Sequence, residues 1–184
     1  MHGRIITRGS QLGEIPGSRR RQVYLSDLAG LFGDQAAWEA MVSKENPLVY
    51  EVYLIEPPAP QEAWRLGYGT TVLYPVMVGR EYAFTHGHRH QLADRTEIYQ
   101  VVAGNGRLLL VDAVGNWESV PLEPDTVAYI GPEQAHRVIN TGSEPLVWLA
   151  VYPSDAGHDY DWVRCHGFGH RLVKAQGETR WVDD

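Results

Sequence analysis

Cysteine is almost absent from this chain: its 184 residues include one, Cys165. A lone thiol excludes an intrachain disulfide and a thiolate metal cluster, and it predicts a reducing compartment such as the cytoplasm. Long apolar runs are missing too. No stretch approaches the roughly 20 apolar residues that span a bilayer, and the N-terminus carries no continuous apolar segment of the exported type, so a cytoplasmic protein with no membrane partner is expected. Positive charge is scarce, with 16 Lys and Arg against 23 Asp and Glu and a formal charge of −7. That balance argues against nucleic acid as a partner and requires any anionic small molecule to be held by a few placed donors, not by a general positive field. The one basic run, Arg19-Arg20-Arg21, reads as a short solvated segment. P-loop and dinucleotide fingerprints are also missing, since Gly104-Asn105-Gly106 has no helix after it.

What is present points to one all-β domain over residues 1–184, with an N-terminal arm at 1–25 and a barrel core at 48–153. Ser26 can cap a short turn carrying Leu28, Leu31 and Phe32, and Asp34 a second one in which Trp38 and Met41 share a face before Pro47. Two short helices are therefore expected ahead of the barrel. From Leu48-Val49-Tyr50-Glu51-Val52 onward the text alternates. Gly104-Asn105-Gly106, Gly115-Asn116, Pro124-Asp125 and Thr141-Gly142-Ser143 punctuate strands near 97–103, 107–112, 126–130 and 146–152.

Chemistry concentrates in Thr85-His86-Gly87-His88-Arg89-His90, followed by Glu97. A strand sends residues i and i+2 to one face, so His88 and His90 can present two imidazoles together, and a returning strand at Glu97 can add a carboxylate. His136, opening a later apolar strand, completes the two-His, one-Glu, distant-His pattern of a cupin metal site. An isolated His is more often a satisfied surface or core residue than a ligand. The spacing of all four raises the expectation of one divalent ion per subunit, and the mixed nitrogen and oxygen donors suit Fe, Mn, Ni or Zn. His86 is left outside this set. If Glu97 faces the metal, Tyr99 and Val101 share its face, and Leu146, Trp148, Ala150 and Tyr152 line one face of the last strong strand. Tyr99 is as readily an ordinary barrel aromatic as a pocket residue.

Gly87-His88-Arg89-His90, Glu97-Ile98-Tyr99, His136-Arg137 and Tyr152-Pro153-Ser154-Asp155-Ala156-Gly157-His158-Asp159-Tyr160 occur in this order. Together they resemble the cupin-type, archaeal-type glucose-6-phosphate isomerases over roughly residues 20–170, the last segment being that family's own mark. The resemblance implies a cupin fold (double-stranded β-helix, or jelly roll), a homodimer, a glycolytic and gluconeogenic isomerase, and a sugar phosphate as substrate. It implies metal ligation by His88, His90, Glu97 and His136, with iron first among the metals. It places Thr71, Thr85, Gly87 and Tyr152 at the phosphate, and His158 and Tyr160 at the sugar-binding rim. Glu97 becomes the catalytic proton shuttle through a cis-enediol, with a direct hydride shift as the rival route. One departure is Glu133-Gln134 before His136, where aromatics are expected of the family; a carboxylate there would alter sugar preference. Two other classes remain: a cupin dioxygenase, which has no use for Thr71, Thr85 and the 152–160 segment, and a non-enzymatic sugar-phosphate sensor, which would bind without turnover.

Overall fold

A computed structural model describes residues 12–184, so residues 1–11 of the expected arm lie outside the described chain. Strand β1 (Arg19–Tyr24) leads through a 3₁₀ turn (Leu25–Leu28) to helix α1 (Gln35–Lys44). Then come β2 (Leu48–Ile55), β3 (Leu66–Leu73), the short β4 (Met77–Val78) and β5 (Glu81–Tyr82), β6 (Glu97–Ala103), β7 (Gly106–Val111), β8 (Trp117–Leu122), β9 (Val127–Ile130), β10 (Ala135–Asn140) and β11 (Leu146–Pro153). Helix α2 (Tyr160–His166) and the hairpin β12 (His170–Ala175) and β13 (Glu178–Asp183) end the chain.

The sheets pair in the orders β1-β2-β3-β11-β6-β9, β10-β7-β8 and β13-β12-β5-β4. The expected all-β cupin architecture is present, as a sandwich of facing sheets and not a continuously bonded barrel. The period-2 rule explains the packing. Glu97, Tyr99 and Val101 are buried on β6 while Ile98, Gln100 and Val102 are exposed. Buried residues from the six-stranded and the three-stranded sheets, among them Leu73, Val101, Leu109, Ile139 and Leu146, belong to the main apolar cluster.

The helical region is half as expected. Asp34 caps α1, its carboxylate accepting from Ala37 N–H at 3.0 Å, and Trp38 Nε1 donates to the Leu25 carbonyl at 3.0 Å. Ser26 is no cap: its N–H donates to Asn46 Oδ1 at 2.8 Å, and Asp27 accepts from Tyr24 N–H at 2.8 Å, so the first element closes as a single 3₁₀ turn. Helix α2 and the last hairpin are additions. Asp159 caps α2 by accepting from Trp162 N–H at 3.0 Å. Gln176 and Gly177, at φ 54° and 84°, make the left-handed turn that joins β12 to β13.

On the outer face of the large sheet, Glu51 is buried yet accepts from Gln22 Nε2 and Tyr53 Oη, each at 2.9 Å, and pairs with Arg20. Burial alone would raise its pKa; bonds from Arg20, Tyr53 and Gln22 outweigh that and lower it. A depressed carboxylate pKa contributes stability above the ordinary value, and that contribution is lost as pH falls through the folded-state pKa. Glu51→Leu is therefore expected to cost about 1 to 3 kcal/mol near pH 7 and to flatten the acid limb of stability below about pH 4.3. Urea unfolding at pH 7 and pH 3.5 checks both, and equal losses at the two pH values would contradict the assignment.

Candidate metal centre and substrate cavity

Residues 83–88 run antiparallel to β10, with Thr85 N–H donating to the Val138 carbonyl at 2.9 Å. His88 and His136 are direct cross-strand partners, bonded N–H to O at 3.1 and 2.9 Å, and their rings lie 4.2 Å apart. Across the sandwich, β6 brings Glu97 Oε2 to 3.4 Å from His90 Nε2 and 3.2 Å from His136 Nε2. One ligand atom from each of His88, His90, Glu97 and His136 falls within 4.8 Å of the others.

Two observations show that this cluster fits a divalent ion. Donors about 2.1 Å from a shared centre can be at most about 4.2 Å apart, so the four atoms need only a small closure around it. His136 Nε2 is buried and makes no hydrogen bond among the described residues, although Glu97 Oε2 lies 3.2 Å away. His90 Nδ1 faces the Arg95 carbonyl at 3.0 Å, which directs its proton there and leaves Nε2 toward the cluster. Arg95 is itself held by Asp155 at 2.8 Å through two nitrogens. Burial pushes the His88 pKa well down, so its imidazole is neutral. Burial would raise Glu97, but His136 and His90 bring it down to about 2, leaving an ionised carboxylate. A neutral His88 and an ionised Glu97 are the states in which those two groups can ligate a metal.

Above the cluster opens a cavity of about 490 Å³. Thr71, Thr85, Gly87, Tyr99, Tyr152, His158 and Tyr160 all line it, as do His88, Glu97 and His136, while His90 is buried behind. Thr85 Oγ1 accepts from Val138 N–H at 3.1 Å, which leaves its own proton free for the cavity. Gly87 sits at φ 76°, and a Cβ there would lie 2.9 Å from the His136 carbonyl oxygen and 2.7 Å from the Phe168 ring, so only glycine keeps the backbone this close. Tyr99 packs edge-on to His136 at 6.0 Å and beside Trp148 at 5.7 Å. His158 lies 4.2 Å from the His88 ring and stacks on Tyr160 at 5.6 Å. Burial lowers the His158 pKa and keeps it neutral.

Several lining residues were missed in the sequence. Tyr50, whose hydroxyl accepts from His86 N–H at 3.4 Å, has its pKa pushed up by burial to about 12. His86 lines the wall and packs edge-on to Tyr160 at 4.9 Å. The Arg19-Arg20-Arg21 run also forms part of the wall, against the expectation of a merely solvated segment. Glu133 is not a lining residue; it is exposed, and its N–H donates to the Ala93 carbonyl at 2.7 Å.

A match to the family described as Glucose-6-phosphate isomerase (GPI) covers residues 22–183. The glucose-6-phosphate isomerase of Pyrococcus abyssi is 45% identical over 172 residues, covering 94% of this chain and 90% of that protein. That of Thermococcus gammatolerans is 47% identical over 174 residues, covering 95% and 90%. A bacterial relative with the same name, from Sinorhizobium medicae, is 40% identical over 156 residues, covering 84% and 72%. Among solved structures, an oxalate decarboxylase from Bacillus subtilis aligns over 58% of this chain and 26% of its own, at 20% identity and a TM-score of 0.48. With the metal-fitting cluster, the cavity above it and a family match across nearly its whole length, the chain belongs to the glucose-6-phosphate isomerase family.

Proposed function

We propose that this chain is a metal-dependent isomerase interconverting glucose 6-phosphate and fructose 6-phosphate, acting as a single domain in a cytoplasmic homodimer. The observation that carries the reading is the position of the cluster of His88, His90, Glu97 and His136 at the floor of a cavity walled by hydroxyls. His88, His90, Glu97 and His136 hold one divalent ion, iron by preference. When bound, the ion supplies Lewis-acid polarisation of the sugar carbonyl.

The remaining work falls to the protein. Thr71, Thr85 and Tyr152 donate to the phosphate beside the backbone of Gly87, as an acidic chain without a lysine cluster requires. His158 and Tyr160 hold the sugar hydroxyls at the rim. Tyr99 and Trp148 close the wall beside His136 and keep water from the reacting carbons. Glu97, ionised, takes the proton from C2 of the open-chain aldose and returns it to C1 of the enediol, while the O2 proton is lost and O1 gains one. The products balance as ketose with no net proton change.

A coupled assay that follows glucose 6-phosphate formed from fructose 6-phosphate tests the reading. Oxygen uptake or saturable sugar-phosphate binding without turnover would contradict it. The phosphate subsite has its own test. Thr71→Val and Tyr152→Phe each remove one charge-assisted bond, worth about 1.5 to 3 kcal/mol or roughly 10- to 150-fold in affinity. Both variants are expected to raise KM for fructose 6-phosphate and keep their metal content. Thr85→Val should do the same and lose stability besides, because Val138 N–H loses an acceptor. Unchanged inhibition by phosphorylated sugar acids in all three would move the phosphate elsewhere.

A further inference from the structure

The three arginines of β1 have different fates. Arg19 pairs with Glu56 at 3.3 Å and Arg20 with Glu51, whereas the Arg21 guanidinium has no hydrogen bond or ion pair among the described residues, although Arg21 lines the cavity. The cross-strand register says where it reaches. Arg21 pairs with Val52, Val52 with Thr71, and Thr71 with Trp148, and Val52, Thr71 and Trp148 all line the same cavity. Directly paired residues project to one face of a sheet, so the Arg21 and Thr71 side chains rise from that face two strands apart, about 9.5 Å at the backbone. An extended arginine covers most of that span. Its charge also acts on Tyr50, which lines the same cavity two residues along β2 from Val52, favouring the ionised form of that phenol. Arg21 therefore faces the cavity that Thr71, Thr85 and Gly87 also line.

We propose that Arg21 is a specificity-determining residue whose guanidinium closes over the phosphate of the substrate, supplying the one full positive charge at that subsite. This rests on the isomerase reading above. It also resolves a deficit in that reading: hydroxyls and a backbone N–H make hydrogen bonds but leave a phosphate carrying about −1.5 to −2 charges uncompensated. A guanidinium presents two parallel N–H groups to two phosphate oxygens, a geometry an ammonium cannot reproduce. Placed on an exposed edge strand, Arg21 can swing onto the phosphate after the sugar has entered.

The test compares the metal-loaded parent chain with Arg21→Gln, Arg21→Lys and Arg180→Gln, an exposed arginine of β13 whose loss changes net charge equally. KM and kcat for fructose 6-phosphate and inhibition by inorganic phosphate are measured in each. Arg21→Gln is expected to raise KM about 10-fold, weaken phosphate inhibition by a similar factor and leave kcat nearly unchanged, the pattern of lost uniform binding. Arg21→Lys should recover part of both effects, and Arg180→Gln should match the parent. An active parent in which Arg21→Gln keeps its KM and phosphate inhibition, or in which Arg180→Gln shifts them as much, overturns the proposal alone. A parent that neither turns over fructose 6-phosphate nor responds to phosphate overturns the isomerase reading and the proposal with it.

Discussion

His88→Ala, His90→Ala and His136→Ala are each expected to lose metal affinity by more than about 100-fold, since even the groups that orient metal ligands are worth 10- to 100-fold. Isomerisation should fall with occupancy. The expectation follows from the cluster, in which each imidazole supplies one atom to a set no wider than 4.8 Å. His88 gives the cleanest variant, because it is only partly buried, while His136 is packed in the core. Metal analysis alongside thermal melting checks the result. Folded variants that keep full occupancy would remove the site assignment.

Glu97→Gln separates ligation from chemistry. The amide is nearly isosteric with the carboxylate, so the variant should keep measurable metal and substrate binding while kcat falls by about 10²- to 10⁴-fold, the usual contribution of a positioned acid or base. The depressed pKa of about 2 sharpens the question. It makes Glu97 a dependable ionised ligand and, on its own, a modest base. If Glu97→Gln turned over near the parent rate, the carboxylate would be a structural ligand and transfer of a hydride between C2 and C1 would be the route. Solvent deuterium incorporated at C1 or C2 of product gives the same answer independently.

The cluster of His88, His90, Glu97 and His136 was legible in the sequence because three of its four members fall within ten residues. Alternation along β6 turns Glu97 inward to meet His88 and His136 at the cavity floor with His90 behind them, although His88 and His90 lie in no continuous strand, His88 being an isolated bridge partner of His136. The facing of Tyr99 and Val101 followed from the same alternation. What depended on partners was not legible. Whether Arg21 meets solvent or substrate is decided by its register against Val52, which nothing in Arg19-Arg20-Arg21 encodes. Tyr50 looks like any strand aromatic until β1 and the 83–88 segment are placed beside it. Ser26 and Asp27 are equally good capping residues on paper, and Asn46, 20 positions away, takes the Ser26 amide and leaves the cap to Asp27. Glu133 is exposed and off the cavity wall, its N–H donating to the Ala93 carbonyl, a backbone partner that its own stretch of sequence does not announce.

The most direct measurement is reconstitution. Chelated protein, shown to be folded, is titrated with one divalent metal at a time while fructose 6-phosphate turnover is followed. The account predicts no turnover without metal and a linear return of activity that breaks at one equivalent per chain, with iron giving the highest rate. Full activity in the chelated protein, or metal bound at one equivalent with no isomerisation by any of Fe, Mn, Ni or Zn, would contradict it.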